Sequence, residues 1–171
     1  DRTTSYLLRL YASPLKSKDF ILGYSIPLLI IALAQSAISF AFALIMGLTP
    51  TWNIIPAILL NIPTAIMFIG IGLLCGSIFN DKQVGGLCGA LLTNLCAWLS
   101  GAWIPLDLIG GVFRKVAYAL PFVHATNMGK FALQGNYSEI WVPFAVVSAY
   151  ALGLFTLAII IFKNKMSADK M

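Results

Sequence analysis

FILGYSIPLLIIALAQSAISFAFALIMGLTPTWNIIPAILLNIPTAIMFIGIGLLCGSIFN, residues 20–80, contains no Asp, Glu, Lys or Arg in 61 positions. A helix needs only about 20 apolar residues to cross a bilayer, so the stretch holds two crossings, 20–46 and 54–79. The uncharged GLTPTWN (47–53) turns the chain between them, with Trp52 placed for the interface. Two further charge-free runs, 83–106 and 140–162, give spans at 84–104 and 141–162. Backbone polar groups find no water in hydrocarbon and must pair within their own segment. The expected fold is therefore an all-α integral membrane protein with four transmembrane helices in one domain covering residues 1–171.

Composition agrees. The chain has 171 residues, 60% of them apolar, with 11 Lys/Arg against 6 Asp/Glu and a net charge of +5. That is more apolar surface than a soluble core of this size could hide. Nucleic acid is excluded as a partner, because no basic cluster exceeds the pair Arg114-Lys115. Cys75, Cys88 and Cys96 lie inside apolar runs, with no CxxC spacing and no nearby His. They read as small hydrophobes, and no metal site is expected. The first apolar run is too long for a secretory signal peptide and continues into a second, so it stays in the membrane.

The opening segment, 1–19, carries Arg2, Arg9, Lys16 and Lys18. Thr3, Thr4 and Ser5 can cap a helix start, and Ser13-Pro14 ends it. Leu7, Leu10 and Tyr11 then share one face of a two-turn helix that is too short to persist alone in water. Lys/Arg counts set the orientation. The opening segment has four, the 80–83 break one (Lys82) and the 163–171 tail three, against none in 47–53 and three in 105–140. The eight on one side place it in the cytoplasm, with both ends of the chain.

Between the third and fourth spans, PLDLIGGVFRKVAYALP (105–121) is largely apolar. Its 15 residues between prolines would make a helix of about 22 Å, short of about 30 Å of hydrocarbon. Residues 105–140 are accordingly expected to form an outer re-entrant helical hairpin. Gly110-Gly111 gives it a flexible point, and the apolar face Leu108, Ile109, Val112 and Val116 is expected to pack on neighbouring spans. Asp107, Arg114 and Lys115 would each cost about 2.5–3.5 kcal/mol at the bilayer centre, so they should reach headgroups or water.

The order of these parts resembles the membrane subunit of an ABC transporter, a permease of the type-2 exporter class. Thr4–Gly23 (TSYLLRLYASPLKSKDFILG) is similar to that family's cytoplasmic segment, and Ser100-Gly101, Pro105 and Leu120-Pro121 to its outer re-entrant hairpin. The resemblance covers nearly the whole chain. It departs in span number, since family members usually have six spans and the first two are expected to be missing here.

The resemblance implies a coupling helix in which Leu7, Arg9, Leu10, Tyr11 and Pro14 meet a cytoplasmic ABC ATPase. It also implies a gate formed by Ser100, Gly101, Pro105, Asp107, Arg114, Lys115 and Pro121, and a second permease subunit, identical or not. No GxxxxGK[ST] loop occurs in the chain, so no cofactor is expected on it. ATP and Mg would sit on the partner ATPase. Export from a cell membrane, bacterial in the family reading, of drugs, lipids or glycans is the implied activity.

Other readings stay open from the residues alone. The opening helix could lie on anionic lipid. Gly72/Gly76 and Gly85/Gly89 are small-xxx-small pairs that could pack spans within one subunit or line a dimer seam. Gln35, Asn61, Thr64, Thr93 and Asn94 should face protein or water, as helix–helix bonds or cargo contacts. Asp107, His124 and Glu139 could serve an intramembrane enzyme on lipid-linked substrate if they converged. A secondary transporter would need a coupling-ion site, and no span holds a charged residue for one.

Overall fold

A computed structural model describes residues 17–168. The expected coupling helix, with Leu7, Arg9, Leu10, Tyr11 and Pro14, lies outside the described residues, as do the last residues of the tail.

The described residues are helical and contain no strand. Helix α1 spans Ser17–Ile45 and ends in a Schellman cap. Gly47, at φ 105°, lets its own N–H reach Leu44 O at 3.2 Å and the Leu48 N–H reach Ala43 O at 2.9 Å. The second crossing is split into α2 (Ile54–Leu59) and α3 (Asn61–Ile78). The single break residue is Leu60, three positions before Pro63, whose ring lacks an N–H and crowds the carbonyl four residues back.

The polar break Asn80–Gln83 supplies half a capping box, the Asn80 N–H donating to Gln83 Oε1 at 3.1 Å. From there α4 (Asp81–Val84) runs into a π-helical stretch, Gly85–Leu92, and then α5 (Thr93–Leu99). Gly85, Gly86 and Gly89 make this the segment least committed to α geometry. Thr93 Oγ1 donates to Cys88 O at 3.2 Å, five residues back, matching the wider register. None of the π residues is buried.

Three helical segments are long and apolar enough to cross a membrane, at Ile21–Ile45, Ile54–Ile78 and Tyr137–Ile161. The expected span at 84–104 differs from them. Its helix stops at Leu99, where Ser100 Oγ donates to Ala97 O at 2.9 Å and Gly101 turns at φ 67°. Even in pure α geometry residues 81–99 would cover at most about 28 Å.

Beyond the turn come α6 (Leu106–Ile109), α7 (Gly111–Ala119), α8 (Pro121–Gln134) and α9 (Trp141–Ala168), with a 3-10 turn at Tyr137–Ile140 before the last. Helix α9 packs mainly on α3 and then on α8, and α1 packs on α3. At the α3–α9 crossing a side chain on Gly70 would begin 3.2 Å from Phe155 N, so glycine permits the approach. The other glycines do not behave this way. Open space surrounds Gly72, Gly76, Gly85 and Gly89, so these small-residue pairs make no close approach to another helix among the described residues. One apolar cluster joins Ala57, Met128, Ala132, Ile140 and Val147, and a second joins Leu99, Leu106, Ala117 and Val123.

Candidate translocation groove and outer segment

The outer segment is built on two carbonyls left over at the end of α7, which has no further turn to receive them. His124 Nε2–H donates to Tyr118 O at 2.9 Å, and Tyr150 Oη–H donates to Ala119 O at 2.8 Å. Pro121 then opens α8 at its first position, where a missing N–H costs nothing. Phe122 stacks on Phe68 with ring centres 6.2 Å apart. Tyr150 and Phe68 each sit near the midpoint of a long apolar segment, Tyr137–Ile161 and Ile54–Ile78. The Leu120-Pro121 turn is therefore level with the middle of both.

Helix α8 climbs back and ends at Gly135, at φ 75°, in a second Schellman cap. There Asn53 Nδ2 donates to Leu133 O at 3.2 Å and accepts from Tyr137 Oη at 2.9 Å through Oδ1. These bonds put the 47–53 turn and the end of α8 at one end of the molecule. Trp52 and Trp141, at 87% and 72% exposure, lie within or next in sequence to the segments so joined, as aromatic belts do.

Asp107 and Arg114 form an ion pair at 3.0 Å, and the Arg114 guanidinium lies 5.6 Å from the Tyr118 ring centre. Both charged side chains are largely exposed. The apolar face is turned the other way from the expectation: Leu108, Ile109, Val112 and Val116 are exposed, while Leu106, Ala117, Phe113 and Leu120 do the packing. The expectation erred in its choice of stripe. Gly110 and Gly111, both at positive φ, break the helix between Ile109 and Val112, so one helical wheel cannot run through all four residues.

Ser100 and Gly101 shape the turn that starts this segment. A side chain on Gly101 would begin 3.2 Å from Leu106 Cγ, and the Ala102 N–H donates to Ser100 Oγ at 3.2 Å. Pro105 precedes α6 and Lys115 sits on α7 beside Arg114. The possible enzymatic triad is not assembled: Asp107 pairs with Arg114, His124 caps Tyr118, and Glu139 belongs to the 3-10 turn. No cluster of three or more His, Cys, Asp or Glu side chains suited to a metal ion occurs among the described residues.

An open groove of about 800 Å³ lies between α1 and α3. Its wall is mostly apolar, with Gln35, Ser36, Ser39, Asn61, Thr64 and the Tyr24 hydroxyl as the polar exceptions. Asn61 Nδ2 donates to Ser36 Oγ at 3.0 Å across the two helices. A smaller cavity of about 310 Å³ shares Asn61, Thr64 and Phe68 with it and extends to Cys96, Phe122 and Thr126. Asn94 and Thr93 lie elsewhere and bond only to carbonyls of their own helix. Ser36 and Ser39 escaped the sequence reading, although their spacing from Gln35 on one helix places all three toward a common side.

An all-helical chain with three helices of membrane-crossing length and apolarity is a multi-span membrane protein. It belongs to the ABC-2 type transporter family, whose model matches residues 1–132. It is thus the membrane component of an ABC transporter. No curated protein and no solved structure matches the chain.

Proposed function

We propose that the chain is the permease of an ATP-driven exporter, with two permease subunits enclosing the path and separate ATPases below them. The observation that carries this is the family match across 1–132, which takes in the opening segment and every span but the last. ATP and Mg belong to the partner ATPase. Segment 1–19 meets that partner in the cytoplasm, where residues 163–171 also end, in a bacterial cell membrane. Residues 84–104 make the third of four crossings, with the Ser100–Gly101 turn at its outer rim. Residues 105–140 are the re-entrant gate, a reading supported by the level of the Leu120-Pro121 turn beside Phe68 and Tyr150. Gly72, Gly76, Gly85 and Gly89, open on this chain, are available to a seam between subunits.

The test is the energy source. The full-length protein purified from its own membrane should carry ATPase activity, and its transport in vesicles should require ATP hydrolysis. Transport driven by an ion gradient with no ATP would overturn the proposal in favour of a secondary transporter.

The topology has its own check. Single cysteines at positions 114 and 115 should react with a membrane-impermeant maleimide added outside, because both sites are solvent-seeking. Cysteines at 108 and 112 should react at least ~5-fold more slowly, since exposed apolar positions there face lipid or a partner and a thiolate is disfavoured in either. Labelling of 114 and 115 from the cytoplasmic side alone would invert the assignment.

A further inference from the structure

The polar belt in the α1–α3 groove lies within about 9 Å of the helix midpoints, displaced toward the 47–53 end. Residue 33 is the midpoint of Ile21–Ile45 and residue 66 that of Ile54–Ile78, and the belt comprises Gln35, Ser36, Ser39, Asn61 and Thr64. Hydrogen-bonding groups at that level are costly unless paired. Some are paired: Asn61 with Ser36, and Ser39 Oγ donating to Gln35 O at 2.8 Å. Thr64 is not, because its Oγ1 is buried and has no partner. Other hydroxyls on the long helices bond to the carbonyl four residues back, as Ser25, Ser39, Thr126 and Thr156 do. For Thr64 that residue is Leu60, at the helix break. Thr64 lines the groove and Gln35 is exposed on the opposite wall; a change of χ1 is what would bring the buried hydroxyl to that wall. Among the described residues, no Asp, Glu, Lys, Arg or His lines the groove.

We propose that this groove binds an uncharged amphipathic molecule, whose hydroxyl, amide or ether head bonds to Thr64 and Gln35 while its hydrocarbon lies against Ile31, Phe68 and Ile69. The volume of about 800 Å³ falls in the range that holds a lipid-sized ligand. A cationic or anionic head would meet no countercharge at this depth and would lose its hydration uncompensated. The inference rests on the transporter reading and names the class of cargo for it.

Three photoactivatable probes test it, sharing one diazirine-bearing hexadecyl chain and ending in a glyceryl, a trimethylammonium or a sulfate head. They are added to the full-length protein in nanodiscs without ATP, and labelled peptides of α1 and α3 are quantified by mass spectrometry. The glyceryl probe should label these helices several-fold more than either charged probe. Thr64→Val, nearly isosteric, should cut that labelling about 10-fold, as the loss of one buried hydrogen bond implies, while Thr64→Ser keeps it.

Equal labelling by all three heads, or no effect of Thr64→Val, overturns the proposal. So does absence of labelling with efficient disulfide crosslinking of cysteines at 39 and 68 to a second copy or another segment of the protein, which would show the groove filled by helix. Because ATP is omitted, this result is independent of the coupling reading. Neutral labelling with ion-driven transport would sink only the ABC mechanism, and charged-probe labelling with ATP-driven transport only the cargo class.

Discussion

The triple variant L7D/L10D/Y11D in the full-length protein should still insert in the membrane but lose its ATPase and its ATP-driven transport. By their i, i+3, i+4 spacing the three side chains share one face of the helix expected from the sequence, and a helix of two turns holds its shape only when that face is buried against something. Burying each such side chain contributes roughly 1.5–3 kcal/mol, and a carboxylate placed in the same pocket is opposed by its desolvation. The summed change corresponds to a fall of at least about 100-fold in affinity for the ATPase. Co-purification of the ATPase and ATP-dependent efflux are the two readouts. Unchanged values in both would refute the coupling assignment. Loss of lipid binding by a peptide of residues 1–19, with ATPase binding intact, would make the segment an interfacial anchor.

Gly70→Leu should be the most disruptive single change in the helical bundle. The first atom added would sit 3.2 Å from Phe155 N and 3.4 Å from the Leu154 carbonyl carbon. Both obstacles are backbone, which has no alternative rotamer, so α3 and α9 must separate. Over-packing of a tight contact costs about 1–3 kcal/mol, and a branched side chain at a helix crossing belongs at the upper end. The expected result is a lower temperature for loss of monodisperse protein in detergent, with Gly70→Ala intermediate. Gly72→Ala and Gly76→Ala are the controls, because no atom lies within 4 Å of the added carbon, and the single subunit should be as stable as the parent. Dissociation of a dimer by either control, with the monomer intact, would place those glycines between subunits.

The contrast between Gly70 and Gly72 marks where the sequence stops being readable. Spacing singled out Gly72 and Gly76, but whether a glycine is needed depends on which face meets another helix, and the nearly uniform apolarity of α3 hides that. The long runs were legible because hydrocarbon imposes a length and an absence of charge, and the turns at 47–53 and 80–83 announced themselves through Gly, Pro and polar residues. Leu60 was not legible as a break. Its cause, Pro63, lies three residues on, and proline is common within membrane helices. The π stretch was equally hidden, since its glycines also occur in ordinary membrane helices. In the candidate site, Gln35, Asn61 and Thr64 stood out as amides and hydroxyls in apolar surroundings. Their assembly into one belt needed the α1–α3 contact, which no residue pattern specifies. His124 was visible as a lone histidine, but its role as a cap depends on Tyr118 ending a helix six residues earlier.

Asn53 makes two bonds, to Leu133 and Tyr137, and Tyr150 adds a third tie at Ala119. The first two join the 47–53 turn to the end of α8, and the third fastens α9 to the end of α7 near mid-depth. Asn53 is a rivet between a turn and a helix end, so neither can shift without the other. Cutting the rivet with Asn53→Ala would let the end of α8 slide against the 47–53 turn.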